Sequence, residues 1–181
     1  MKNREIVVAV TGGIAAYKAA ALVSQLVQGG AGVTVAMTDA AERFVGPTTF
    51  AALTGRAVAK DLFSERHPLG AHIELAAKAE VLCVAPATAN FLAKAAAGVA
   101  DDLVSTLYLC FAGSVLVAPA MNTQMWAHPA VRRNVDQLRA DGVTLIDPEE
   151  GWLSCRDTGA GRMAAPESIL AAIKTAFDAM S

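Results

Sequence analysis

Three residues stand out for the chemistry that their types allow. The stretch "EEGWLSCRDTGAGRMAAP" (149–166) sets Cys155 among glycines, charges and a proline, which is poor core material. A thiol there is available for reaction, and the glycines around it suit a flap over about 149–166 that closes on a ligand. His72 opens the run "HIELAAKA" just after a segment bearing proline and glycine. A histidine beside the positive end of a helix dipole is disfavoured as imidazolium and so can serve as a base. Asn122 ends "PAMN" after an apolar run, where an amide either makes a turn or hydrogen-bonds a ligand. His67 and His128 have no such setting and read as structural or exposed. Cys83 in an apolar strand and Cys110 in an apolar helix read as small hydrophobes.

The elements that must position these groups follow from hydrophobic patterning. "EIVVAV" (5–10), "GVTVAM" (32–37), "EVLCVA" (80–85), "SVLVAPA" (114–120) and "GVTLID" (142–147) are near-continuously apolar, as buried parallel strands are. Helical spacing occupies 14–28, 72–79, 90–111 and 129–142, with Gly29-Gly30 and Gly142 as stops. This β-α alternation predicts a single-domain α/β fold over 1–181: a three-layer α/β/α sandwich with an open, parallel, Rossmann-like (flavodoxin-like) sheet. Ligands of such folds sit at the carboxyl ends of the strands. The exit loops there are "TGGIAAYK", "TDAAERF", "PATANF" and "PAMNTQMW", all rich in small, hydroxyl or amide residues. Gly12 and Gly13 let backbone N–H groups approach an anion at a helix start. Gly-Gly is not the G-x-G-x-x-G dinucleotide fingerprint, and strand two exits into Thr38, with Asp39 beside it, rather than on a carboxylate. Thr88 and Asn90 read either as caps of the helix they open or as ligand contacts. The residues by themselves point to an α/β protein that binds a phosphorylated cofactor.

Composition excludes several other classes. Apolar residues make up 54% of the chain, above the roughly 45–50% of ordinary domains, which suits a fully buried parallel sheet or a large subunit interface. A formal net charge of −2 with no basic cluster argues against nucleic acid. No apolar run is long enough for a bilayer, and the N-terminal "MKNREIVVAV" breaks at "TGG" as a strand does, not as a signal peptide. Three widely spaced cysteines suit neither a disulfide framework nor a metal site, so a reducing cytoplasm is expected.

Taken together, "GGIAAYK", "AHIEL", "APATAN", "ADDLVST", "PAMNTQMW" and "GAGRM" resemble the flavin-dependent cysteine decarboxylases. Within them the likeness is greatest to the branch acting on phosphopantothenoylcysteine, including the amino-terminal half of bifunctional coenzyme A biosynthesis proteins. The resemblance implies FMN, held noncovalently in a cleft between subunits of a homotrimer that often builds a dodecamer, with 4′-phosphopantothenoylcysteine as the small-molecule substrate. It assigns cofactor contacts to Gly12, Gly13, Ile14, Thr38, Phe44, Thr88, Ala89, Asn90, Asp102 and Ala120. It assigns substrate contacts to Asn122, Leu153 and Ser154, acid–base work to His72 and Cys155, and no metal. The implied chemistry oxidises the CH₂–SH group to a thioaldehyde, which places C=S beta to the carboxylate so that CO₂ can leave; reduction of the resulting enethiol then needs a proton. Cys155 on the flap is the implied donor, His72 the acid–base partner of the oxidation, and Asn122 the amide facing the substrate carboxylate. The chain departs from the family's usual Ala-Cys-Gly at this point, having Ser154-Cys155-Arg156. Rival readings with the same fold are a peptidyl-cysteine decarboxylase of lantibiotic maturation, which stops at the enethiol and needs no flap cysteine, a flavin prenyltransferase, and a noncatalytic regulatory flavoprotein.

Overall fold

Alternate residues of the first strand serve two different cores, and this organises the whole molecule. In the computed structural model, which describes residues 1–180, β1 (Glu5–Val10) is followed by α1 (Ala16–Gln28), β2 (Gly32–Met37), α2 (Asp39–Glu42), α3 (Pro47–Thr54) and α4 (Ala71–Lys78). Then come β3 (Val81–Ala87), α5 (Ala89–Ala97), α6 (Leu103–Cys110), β4 (Ser114–Pro119), α7 (Thr123–Ala127), α8 (Pro129–Ala140) and β5 (Thr144–Leu145). A hairpin, β6 (Glu149–Trp152) and β7 (Thr158–Arg162), precedes α9 (Pro166–Asp178).

Strands β1 to β5 form one parallel sheet in the order β2-β1-β3-β4-β5. Ile6, Val8 and Val10 pack with Leu22 and Leu26 of α1, Phe50 of α3 and Ile169, Ile173 and Phe177 of α9. Val7 and Ala9 pack on the other side with Leu75 of α4, Leu92 of α5, Leu107 of α6 and Val135 and Leu138 of α8. Burial on both faces explains why the strands are apolar without alternation. Each fully buried aliphatic side chain contributes roughly 1.5–3 kcal/mol. The expected three-layer α/β/α architecture is present, and all five anticipated strands exist.

Three local readings are corrected. The helical stretch expected over 90–111 is two helices, because Gly98 takes a left-handed conformation (φ 69°) that ends α5. Asp102 then starts α6 with a capping box, its side chain accepting from the Ser105 N–H while Ser105 Oγ accepts from the Asp102 N–H. The segment around Cys155 is not a loop throughout but the antiparallel β6–β7 hairpin with the cysteine in its turn. Cys110 is exposed rather than core, its Sγ 3.5 Å from the His72 carbonyl oxygen at the end of α6. Among the described residues no helix is long and apolar enough to cross a membrane.

Candidate functional site

Four strand exits meet at one edge of the sheet, and most of them are fixed by helix caps. Thr38 Oγ1 accepts from the Ala41 N–H to cap α2, and Thr88 Oγ1 accepts from the Phe91 N–H to cap α5. Asn122 Oδ1 accepts from the Gln124 N–H to cap α7. Capping is therefore real for Thr88, while among the described residues the Asn90 side chain has no hydrogen-bond partner, and it lines the cleft. Thr11, buried and passed over in the sequence, ties two exits together: its hydroxyl donates to the Pro86 carbonyl (2.7 Å) and accepts from the Thr88 N–H (3.0 Å). Its one available signal was a hydroxyl directly after an apolar strand.

Gly12 is required by packing, because a Cβ there would lie 2.3 Å from the Ala40 Cβ of α2. Gly13 would meet only Thr88 Cγ2 at 3.6 Å, so it leaves backbone open to the cleft. Among the described residues the N–H groups of Gly12, Ile14 and Ala15, just ahead of α1, have no acceptor. Unpaired N–H groups at a helix start are what a phosphate group needs.

These exits and the hairpin enclose a cleft of about 1410 Å³. Gly12, Gly13, Ile14, Thr38, Thr88, Ala89, Asn90, Asp102, Ala120, Asn122, Leu153, Ser154 and Cys155 all line it. That volume exceeds the roughly 300–1,000 Å³ of common small-molecule pockets, leaving room for a flavin and a second ligand. The donors at the head of α1, the Thr38 hydroxyl and the free Asn90 amide fit a flavin mononucleotide.

Asn122 and Cys155, distant in sequence, are brought together: Asn122 Nδ2 lies 3.4 Å from Cys155 Sγ. The turn that places the thiol closes with Arg156 N–H donating to the Leu153 carbonyl (2.9 Å) and Leu153 N–H to the Asp157 carbonyl (2.8 Å). Arg156 occupies the left-handed region (φ 66°), the conformation that explains a glycine preference there. Asp102 is raised by burial, but donors from Lys94 (2.8 Å) and Ser105 outweigh this and hold its carboxyl below the usual aspartate value. Lys94 also pairs with Asp101 at 2.6 Å. The lining residues Lys18, Lys60, Lys94 and Arg162 were not singled out from the sequence, where isolated basic residues carry no distinguishing signal.

His72 and Phe44 lie outside this lining. His72 sits in the first turn of α4, its ring folded against Gly70, and its Nδ1 is buried without a hydrogen-bond partner. His67, expected to be structural or exposed, stands just ahead of it, with its Nδ1 2.8 Å from Glu74, whose other oxygen accepts from the Leu69 N–H.

Known proteins share this sequence pattern and this fold. The chain is 48% identical over 171 residues to the coenzyme A biosynthesis bifunctional protein CoaBC of Bacillus subtilis, covering 94% of this chain and 42% of that protein. The chain thus spans about two fifths of the length of that relative. Its fold superposes on a Cys→Ser variant of a PPC decarboxylase complexed with pantothenoylaminoethenethiol, with a TM-score of 0.90 and 29% identity over 98% of this chain and 100% of that one. It also matches the FMN-dependent cysteine decarboxylase SpaF, with a TM-score of 0.84 and 34% identity over 97% and 98% of the two chains. Residues 1–178 match the family model described as Flavoprotein, and the chain belongs to that family.

Proposed function

We propose that this protein catalyses the FMN-dependent decarboxylation of 4′-phosphopantothenoylcysteine to 4′-phosphopantetheine, a step of coenzyme A biosynthesis in the cytoplasm. The observation that carries this reading is the meeting of Asn122 and Cys155 at 3.4 Å on a cleft built from four strand exits. The 48% identity to CoaBC and the likeness to a PPC decarboxylase support the choice of substrate.

When bound, FMN supplies the two-electron oxidation of the substrate's CH₂–SH carbon and the later return of hydride. The chain supplies the rest. The unpaired N–H groups of Gly12, Ile14 and Ala15 would hold the cofactor phosphate, and Thr38, Thr88, Ala89, Asn90 and Ala120, which line the same cleft, would contact the rest of the cofactor. The amide Nδ2 of Asn122 donates to the substrate carboxylate, while Leu153 and Ser154 of the hairpin cover the substrate and exclude water. Cys155 Sγ–H then delivers a proton to the enethiol carbon next to the one that receives hydride.

His72 acts as the acid–base partner, but from a neighbouring subunit. Within one chain it lies outside the cleft, with an orphaned Nδ1 on a helix whose outer face also exposes Ile73. Leu109 of α6 and Leu69, which precedes α4, are exposed apolar side chains as well. A homotrimer, alone or within a dodecamer, would bury these side chains and complete the cleft.

The test is turnover by flavin-loaded protein, with 4′-phosphopantothenoylcysteine compared against a peptide ending in cysteine. Release of CO₂ with 4′-phosphopantetheine from the former is expected. Decarboxylation of the peptide alone, ending at the enethiol, would favour the lantibiotic type instead.

A further inference from the structure

Among the described residues four cations line the cleft, and two of them form no ion pair. Lys60 pairs with Glu42 at 3.0 Å, and Lys94 pairs with Asp101 and Asp102. Among the described residues, neither Lys18 nor Arg162 forms an ion pair. Lys18 Nζ donates only to the Met163 carbonyl (3.3 Å), and the Arg162 guanidinium has no hydrogen-bond partner. Glu149 is the register partner of Arg162 across the hairpin, but its Oε1 accepts from the Ala165 N–H (2.9 Å) and it does not line the cleft. Burial and then the Arg162 charge push Lys18 below the usual lysine value, with Glu149 opposing.

Two half-buried like charges, one from α1 and one from β7, line the same cleft, and an anion bound there would offset their repulsion. The hairpin also makes room for one of them: a Cβ on Gly151 would fall 2.9 Å from Arg162 Nη1. The cofactor phosphate already has a seat in the free N–H groups at the head of α1. Arg162, in contrast, follows Gly161, whose carbonyl accepts from Met121 N–H (2.9 Å) beside Asn122, and it belongs to the hairpin that carries Cys155.

Building on the decarboxylase reading, we propose that Lys18 and Arg162 form the binding site for the substrate's phosphomonoester. The guanidinium offers a planar fork to two phosphate oxygens, and the ammonium supplies a point charge on the other side. The site then selects phosphorylated over unphosphorylated substrate without touching the reacting carbon.

The experiment titrates the flavin-loaded protein with 4′-phosphopantetheine and with pantetheine by calorimetry. Charge-assisted hydrogen bonds of this kind correspond to a preference of about tenfold or more for the phosphorylated form. In Arg162→Gln and in Lys18→Gln that preference should collapse to within about threefold, while Arg162→Lys retains part of it. A second arm follows exchange of bound FMN for riboflavin in the same proteins. A preference for 4′-phosphopantetheine that survives Arg162→Gln, or equal weakening of both ligands, overturns the assignment. Loss of FMN preference over riboflavin also overturns it, giving the two cations to the cofactor. If the unaltered protein binds neither pantetheine form, the substrate reading itself falls and takes this site with it.

Discussion

Asn122→Asp separates two duties of one side chain. The Oδ1 atom caps α7 by accepting from Gln124 N–H at 2.8 Å, and the Nδ2 atom points to Cys155 Sγ at 3.4 Å. Aspartate keeps the acceptor, so the cap survives, whereas alanine would forfeit roughly 0.5–2 kcal/mol of it. What changes is the face that, on the proposed reading, meets the substrate carboxylate. Two carboxylates about 4 Å apart repel by about 1 kcal/mol in a water-like medium and about 4 kcal/mol at an effective dielectric near 20. Asn122 is half-buried, between those limits. Losing the amide's hydrogen bond to a charged group adds roughly 1.5–3 kcal/mol. Together these predict a fall in kcat/KM of about 10²–10⁵-fold, since each 1.4 kcal/mol is tenfold. Steady-state decarboxylation measures it, with flavin absorbance and thermal unfolding as controls that should hardly move. A variant that retains flavin and loses less than about fivefold in kcat/KM would refute the role given to this amide.

Other expectations follow from single residues. Arg156→Gly removes a left-handed penalty of roughly 1–2 kcal/mol, partly offset by the roughly 0.4–1 kcal/mol that glycine gains in the unfolded chain. Amide exchange across the β6–β7 turn should therefore slow, and faster exchange would contradict the strain. For Asp102 the folded pKa is lowered from 3.8, so its stabilisation is present above that value and is lost as pH falls through the folded one. Asp102→Asn should accordingly cost about 1 kcal/mol in denaturant unfolding at neutral pH and converge with the parent as pH falls below the ordinary aspartate value, whereas a pH-independent gap would exclude the Lys94 pairing as its source. Sedimentation should give a trimer or a multiple of three, and Ile73→Glu on the uncovered face of α4 should weaken assembly and flavin retention together; a flavin-loaded, active monomer would rule out the shared cleft.

Much of this arrangement was legible before the structure because burial on both sheet faces leaves so plain a pattern. The runs 5–10 and 32–37 coincide with β1 and β2, whereas 142–147 yields only the pair Thr144–Leu145, since an edge strand needs few ladder bonds. The break at Gly98 was visible as a glycine, but the helical apolar spacing on either side masked it. Helix α9 was passed over although Pro166 opens it and Ile169, Ile173 and Phe177 repeat at helical spacing. The hairpin was hidden because its glycines, Gly151, Gly159 and Gly161, give no alternating pattern; Gly159 and Gly161 approach Thr123 and the Met121 carbonyl too closely for a side chain. At the site, hydroxyl and amide caps at strand exits could be read from residue type. The position of His72 outside the cleft could not, because no local spacing encodes which surfaces of a fold face each other or another chain.

The most direct measurement is one anaerobic turnover of 4′-phosphopantothenoylcysteine by the flavin-loaded Cys155→Ser variant, with products resolved by mass. The serine hydroxyl preserves size and the hairpin turn but is a far weaker acid than the thiol. On the proposed mechanism, oxidation and loss of CO₂ depend on FMN, His72 and Asn122, and only the final proton delivery depends on Cys155. The expected result is stoichiometric CO₂, a flavin left reduced, and the enethiol two hydrogens lighter than 4′-phosphopantetheine. Normal formation of 4′-phosphopantetheine by this variant would contradict the assignment of Cys155 as the acid that completes the cycle.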